Sequence, residues 1–167
     1  DNQPVDLSGA DVDFAVRYAV QAEPEDQWLP LFEDSLIPLC APELLRRTPI
    51  KDDAGILRLP LIQYRWNCGA KASPSWQRWS HAAGLGGAVP EIAQHFSEEI
   101  NAIDAALAGQ GVVLASSVLV ASAVAAGHLV RLSDVGLPGR TFWAVSRIDH
   151  PRFAEVEHFA SWARASG

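Results

Sequence analysis

The stretch from Val89 to Gly127 constrains the fold of this chain more than any other. An extended run, Val89 to Phe96, leads into Ser97, Glu98 and Glu99. A hydroxyl cap followed by acids is the pattern of a helix start, where free N–H groups and the helix dipole favour negative charge. Ile100, Ile103, Ala106 and Leu107 then predict a helix with one apolar face. Gly109-Gln110-Gly111 ends it, Val112-Val113-Leu114-Ala115 reads as a buried strand, and Ser116-Ser117 opens a second helix that runs to Gly127. Such alternation of strand and helix requires helices layered on a largely parallel sheet, so the expected class is α/β.

The flanking segments fit this class. Val12 to Arg17 predicts a mostly buried strand, Gln21 to Gln27 a surface loop, and Leu31 to Cys40 a second extended run. Pro38 within that run marks an edge or an irregularity, since proline cannot donate to a ladder. Pro42 opens a short helix and Pro60 to Tyr64 forms a strand. Ser73 is expected to cap a helix with Pro74 in its first turn, Trp76 and Trp79 at core spacing, and an exit at Ala83-Gly84. Beyond Gly127 the sequence predicts a brief strand at Leu129-Val130, a loop over Ser133 to Arg140 and a strand over Thr141 to Ser146. Pro151 begins a last helix striped by Phe153, Val156, Phe159 and Trp162. The order of elements around Val12–Pro42 resembles that around Val112–Pro151, which suggests two similar lobes with crossings near Leu39–Ala41 and Val145–Arg147.

Composition closes off several classes. With 167 residues, 49% of them hydrophobic and 20% charged, the chain can bury a core and is not a disordered segment. No run approaches the roughly 18–20 apolar residues that cross a bilayer, and the first residues lack a signal pattern. Methionine is absent altogether, so the chain is expected to be a piece of a longer protein. Of the net charge of -7, residues 1–34 carry nine acids and a single base, Arg17. That acidic balance repels phosphate backbones and argues against a nucleic-acid-binding role for this piece. Cys40 and Cys68 have no metal-ligand spacing; they could pair, but two buried free thiols of a cytosolic protein is the preferred reading.

Catalytic and metal motifs are missing: there is no G-x-S-x-G elbow, P-loop or H-E-x-x-H, and the five histidines are scattered. No catalytic residue, metal or cofactor is therefore expected. Gly84-Leu85-Gly86-Gly87 follows a helix and precedes a strand, the wrong order for a phosphate loop, and reads as a turn. Ligand binding is better supported, because α/β sheets bind at the carboxyl ends of their strands. Those ends are Arg17-Tyr18, Tyr64-Arg65-Trp66, Phe96-Ser97 and Ala115-Ser116-Ser117. For Arg17 a ligand contact and a surface ion pair both stay open; for Ser97 and Ser116 the alternative is a helix cap alone. Residues 54–90 hold no acid but four bases, with Tyr64, Trp66, Trp76 and Trp79 among them. This suits a wall for an anionic or aromatic ligand and is too thin for nucleic acid.

These residues also carry a family likeness. Val5 to Tyr18, with Asp11-Val12-Asp13-Phe14-Ala15-Val16-Arg17, resembles the "D-x-D-x-A-I-R" strand of LysR-type transcriptional regulators, in their glycine-cleavage-activator-like branch. Leu31 to Pro42 is similar to the family's "L-x-x-E-x-L-V-P-V-C-S-P", and Ala105 to Leu114 to its "A-A-x-A-G-x-G-V-A-L". Ala126-Gly127-His128-Leu129-Val130 resembles "A-G-x-L-V", and Phe142 to Val145 the penultimate strand. The likeness implies an effector-binding domain with the two-lobe type II periplasmic-binding-protein fold. One lobe would span residues 1–40 and 147–167, the other 41–146. Ligand contacts carry over to Arg17, Phe96, Ser97, Leu114, Ala115, Ser116, Ser146 and Arg147; Tyr18 and Tyr64 join them from the strand-end reading.

The same likeness implies a small-molecule effector, an organic acid or amino acid, in the interlobe cleft, and a homo-oligomeric, cytoplasmic parent. That parent would bind DNA through an N-terminal helix-turn-helix that this sequence does not contain. The family's opening strand-helix-strand is missing as well, so the first lobe is expected to be incomplete, with weakened affinity and self-association through an exposed sheet edge. An extracytoplasmic solute-binding protein of a transport system is the alternative reading.

Overall fold

The computed structural model describes residues 7, 12–24, 26–65, 74–86 and 90–166. Trp66, Cys68, the Ser73 cap and Val89 lie outside the described residues. The chain divides into two compact units, residues 1–34 with 139–167 and residues 35–138. Two strands, β2 (Gln27–Cys40) and β7 (Leu137–Ser146), run through both.

In the first unit β1 (Ala15–Ala19) pairs antiparallel with β7, Ala15 opposite Val145 and Ala19 opposite Thr141. β1 begins three residues later than the sequence predicts and is half-buried, with Val16 53% exposed. The sheet is covered by α6 (Phe153–Ser166), whose buried face is Val156, Ala160 and Ala163, packed with Leu31 and Ala144. This corrects the expected stripe. Positions 153 and 162 are nine residues apart, and at about 100° per residue they point to opposite sides of a helix. Trp162 is accordingly 62% exposed, and the two alanines let the helix lie close on the sheet.

In the second unit β3 (Leu61–Tyr64) is parallel to both its neighbours, β4 (Ile92–Phe96) and β5 (Val112–Ser116). β5 pairs antiparallel with β2, and the short β6 (Val130–Arg131) adds to β2. The sheet is thus parallel over three strands only. Pro38 is buried and stands between two pairings, with Leu114 of β5 opposite it. On its other side its carbonyl accepts from Leu132 N–H at 3.0 Å, and proline has no N–H to return, so the β6 ladder stops there. It marks an irregularity, not an edge.

Both faces of this sheet are covered, which explains the continuous apolar run of β5. Val113 and Ala115 pack with Ile62, Tyr64 and α4 (Glu99–Leu107) on one face. Val112 and Leu114 pack with Leu61, Ile56 and α3 (Trp76–Ala82) on the other. Ser75 caps α3, its hydroxyl accepting from Arg78 N–H at 3.2 Å; Pro74 lies before the helix. The indoles of Trp76 and Trp79 meet edge to face and donate to the carbonyls of Ile62 and Val135, both at 2.9 Å. On α4 the buried residues are Ala102, Ile103, Ala105 and Ala106, while Ile100 is 60% exposed. Mostly small residues face the sheet here; Ile103 and Ala106 lie on the expected stripe, but the buried face is turned from it by about a quarter turn.

Shorter elements complete this unit: α1 (Pro42–Arg47), α2 (Asp53–Ile56) capped by Asp52, and α5 (Ala121–Ala125). α2 was not expected from the sequence. β7 begins at Leu137 and runs through Pro138 and Gly139, poor strand formers that had suggested a loop. The Gly109-Gln110-Gly111 turn has a specific cause at each glycine. Gly109 takes φ +72° to leave α4, and a Cβ on Gly111 would lie 2.4 Å from the Pro60 carbonyl oxygen. That close approach sets β5 beside β3, with Val112 N–H donating to the same oxygen at 2.8 Å.

Candidate functional site

Parallel pairing brings the carboxyl ends of β3, β4 and β5 to one edge, with Tyr64 opposite Phe96. The ends of β3 and β4 form a depression of about 450 Å³ lined by Gln63, Tyr64, Arg65, His95, Phe96 and Ser97. Arg65 N–H donates to the Phe96 carbonyl at 3.0 Å and closes the pairing just where the depression begins. Tyr64 is buried, its ring in the core beneath α4, and Phe96 packs against the same cluster. Arg65, His95 and Ser97 are exposed. The lining therefore has an aromatic floor and a rim of guanidinium, imidazole and hydroxyl donors, and no carboxylate among the described residues.

The end of β5 is different. Ser116 is 1% exposed, and its N–H donates to Glu99 Oε1 at 2.8 Å. Its hydroxyl accepts from Leu119 N–H at 3.2 Å, capping the turn that leads to α5. Ser117 N–H donates to the Ser35 carbonyl at 2.8 Å, and the Ser35 and Ser117 hydroxyls lie 3.2 Å apart. A serine-rich strand end that looked ready for an anion is already engaged by the protein's own groups. A hydrogen bond to a carboxylate such as that of Glu99 is shorter and stronger than a neutral one, about 1.5–3 kcal/mol.

Of the expected ligand residues, Tyr64, Phe96 and Ser97 come together in the depression. Leu114 and Ala115 are buried with side chains in opposite cores, so only their backbone could reach a ligand. Ser97 is not the helix cap: α4 is capped at Glu98 without a side-chain hydrogen bond. Arg17 and Tyr18 lie within β1 and not at its end. Arg17 sits 3.9 Å from the Asp26 carboxylate and 5.5 Å over the Trp28 ring. The Tyr18 hydroxyl donates to Asp34 at 2.8 Å and accepts from Arg140 N–H at 3.1 Å. Ser146 is fully buried at the end of β7 and Arg147 is exposed.

Sequence reasoning missed Gln63 and His95 and undervalued Arg65. The usable signal was Arg65 directly after an apolar strand, inside the acid-free stretch 54–90. Glu99 read only as an acid suited to a helix start, since nothing local shows that it reaches β5. A second depression of about 500 Å³ is lined by Asp53 and residues 131–135. There Arg131 holds the Ser133 and Asp134 carbonyls and Ser133 Oγ donates to Asp53, so the polar groups serve the loop itself. Burial pushes the Cys40 thiol up to about 11, which keeps it protonated and unreactive. Among the described residues no group of His, Cys, Asp and Glu could hold a metal ion, and no helix is long and apolar enough to cross a membrane.

The fold is that of the effector domains of bacterial transcriptional regulators. It is similar to the effector domain of the transcriptional regulator AmpR of Pseudomonas aeruginosa, with a TM-score of 0.72 and 23% identity over 99% of this chain and 77% of that one. The AmpR effector binding domain of Citrobacter freundii aligns with a TM-score of 0.74 and 22% identity over 99% of this chain and 80% of that one. These domains have the two-lobe, periplasmic-binding-protein-like α/β architecture. The chain belongs to the LysR substrate binding domain family, whose model matches residues 1–167. Among curated relatives, the glycine cleavage system transcriptional activator of Escherichia coli K12 is 27% identical over 157 residues, 93% of this chain and 50% of that protein. The transcriptional activator AmpR of Rhodobacter capsulatus is 27% identical over 161 residues, 96% of this chain and 53% of that protein. The chain thus spans about half the length of these relatives.

Proposed function

We propose that this domain senses a small anionic metabolite, an organic acid or amino acid, at the carboxyl ends of β3 and β4. One observation carries the reading: the 450 Å³ depression is rimmed by Arg65, His95 and Ser97 and, among the described residues, lined by no acid. A concave basic site focuses field on an incoming anion. The Arg65 fork suits a carboxylate, Ser97 and His95 supply further donors, and Tyr64 with Phe96 offers an apolar floor. Of the remaining expected ligand residues, Arg17, Tyr18, Ser146 and Arg147 belong to the first unit. Single substitutions there test whether that unit also contributes to effector affinity.

For the whole protein we infer a cytoplasmic transcription regulator that acts as a homo-oligomer and binds DNA through a segment other than this one. The two compact units serve as its two lobes, and effector binding shifts a pre-existing equilibrium of subunit arrangements. Two of the relatives are named transcriptional activators, which favours regulation over delivery of a solute to a transporter. The reading needs no catalytic residue and no cofactor.

The test is calorimetric titration with acetate, succinate and glutamate, alongside their uncharged amides. The acids bind, the amides do not, and Arg65→Ala lowers acid affinity about tenfold, the loss of one charged contact worth about 1.4 kcal/mol. Equal binding of acids and amides, or acid binding untouched by Arg65→Ala, would overturn the assignment.

A further inference from the structure

The Glu99 carboxylate is an internal anion seated on the amide that ends β5. It stems from the first turn of α4, two residues beyond Ser97 in the depression, and crosses to Ser116 N–H at 2.8 Å. Neighbouring polar groups at that strand end are likewise satisfied within the protein: Ser116 Oγ by Leu119 N–H, and Ser117 N–H by the Ser35 carbonyl. Ser116 itself is buried, so its N–H has no solvent to fall back on, and a carboxylate there is worth more than at the surface.

We propose that Glu99 is a specificity-determining residue: it occupies the Ser116 amide and so confines an anionic effector group to the Arg65–Ser97 side. The proposal rests on the effector reading above for the second half of that sentence only; that Glu99 blocks an anion-receptive amide stands on the hydrogen bond alone. The consequence is a site with opposite preferences along one edge. Its β3–β4 part takes a carboxylate through Arg65, His95 and Ser97. Its β5 part already holds negative charge and repels a second carboxylate, so an effector extending that way must present a neutral or cationic group. An amino acid, with one acid and one ammonium group, meets both demands better than a dicarboxylate.

Amide-resolved NMR titration with succinate, on the 167-residue chain, separates the two claims. In the unsubstituted protein succinate shifts the amides of Arg65, Phe96 and Ser97 and leaves that of Ser116 unmoved. In Glu99→Ala the Ser116 amide is open and shifts on titration, and total affinity for succinate rises about tenfold. Glu99→Gln guards against a misfolded alanine variant: its amide oxygen keeps the bond to Ser116, so Ser116 stays unmoved while succinate affinity at Arg65 rises about threefold by loss of repulsion. A silent Ser116 amide in folded Glu99→Ala together with unchanged affinity in Glu99→Gln overturns the proposal. If succinate instead shifts Ser116 in Glu99→Ala but never touches Arg65 or Ser97, Glu99 is confirmed as the block and the effector reading is what fails.

Discussion

Two ends of one sheet edge have parted ways. At the ends of β3 and β4 the exposed Arg65, His95 and Ser97 surround an open depression. At the end of β5, one strand away, two serines and a buried amide are closed by Glu99, Leu119 and Ser35. Both ends carry hydroxyls and both adjoin helix starts, so residue type does not separate them. What separates them is whether the polar groups already have partners inside the protein. A strand end becomes a binding site when its donors are left to solvent, and a structural joint when a neighbouring side chain reaches them first.

The comparison can be broken from underneath. Trp76 supports β3 through its indole on the Ile62 carbonyl and is 1% exposed. Trp76→Ala is expected to cost about 3–5 kcal/mol in urea unfolding, the range for a large aromatic removed from a core. Carboxylate affinity should fall with it, because β3 loses the support beneath it while the β5 end keeps its own bonds. Unaltered stability would mean that the indole is not the support described here.

A sharper cut is Arg65→Glu, which gives the open end the charge of the closed one. Succinate affinity measured by calorimetry should drop about a hundredfold, near 2.7 kcal/mol, with the melting temperature unchanged. Gly111→Ala acts on the spacing of β3 and β5 at their amino ends, since its Cβ would meet the Pro60 carbonyl oxygen at 2.4 Å. A loss of about 2 kcal/mol in stability is expected, as backbone must move. The smallest effect belongs to Ser116→Ala. It removes the hydroxyl that accepts from Leu119 N–H, costs about 1 kcal/mol by denaturant midpoint, and leaves succinate affinity unchanged because the amide is what Glu99 holds. A marked affinity loss in Ser116→Ala would place the effector at β5 after all.

Much of the fold was legible, because α/β alternation leaves local marks. The run Val112–Ala115, the glycines that precede it and the paired tryptophans of α3 each predict their role from spacing alone. The helix faces were not legible to the same degree. On both α4 and α6 the sheet-facing side is built from alanines, while Ile100 and Trp162, the larger residues, point to solvent. Hydrophobic size signals burial only when the partner surface has room, and close packing against a sheet favours small side chains.

The candidate site shows the same limit in polar form. Tyr64, Phe96 and Ser97, which line one depression, stand at strand ends, and strand ends are visible in sequence. His95 and Gln63 were missed because their neighbours across the depression lie about thirty residues away, on a parallel strand brought in by helical crossovers. Glu99 was read as a local acid, and its bond to Ser116 spans seventeen positions. Pairings of that range are set by topology.

The most direct measurement is a crystal structure of the unsubstituted domain grown with saturating succinate. A carboxylate is expected on the guanidinium of Arg65 and the hydroxyl of Ser97, with Glu99 still accepting from Ser116 N–H. A carboxylate bound to Ser116 with Glu99 swung away, and the Arg65 depression empty, would contradict it.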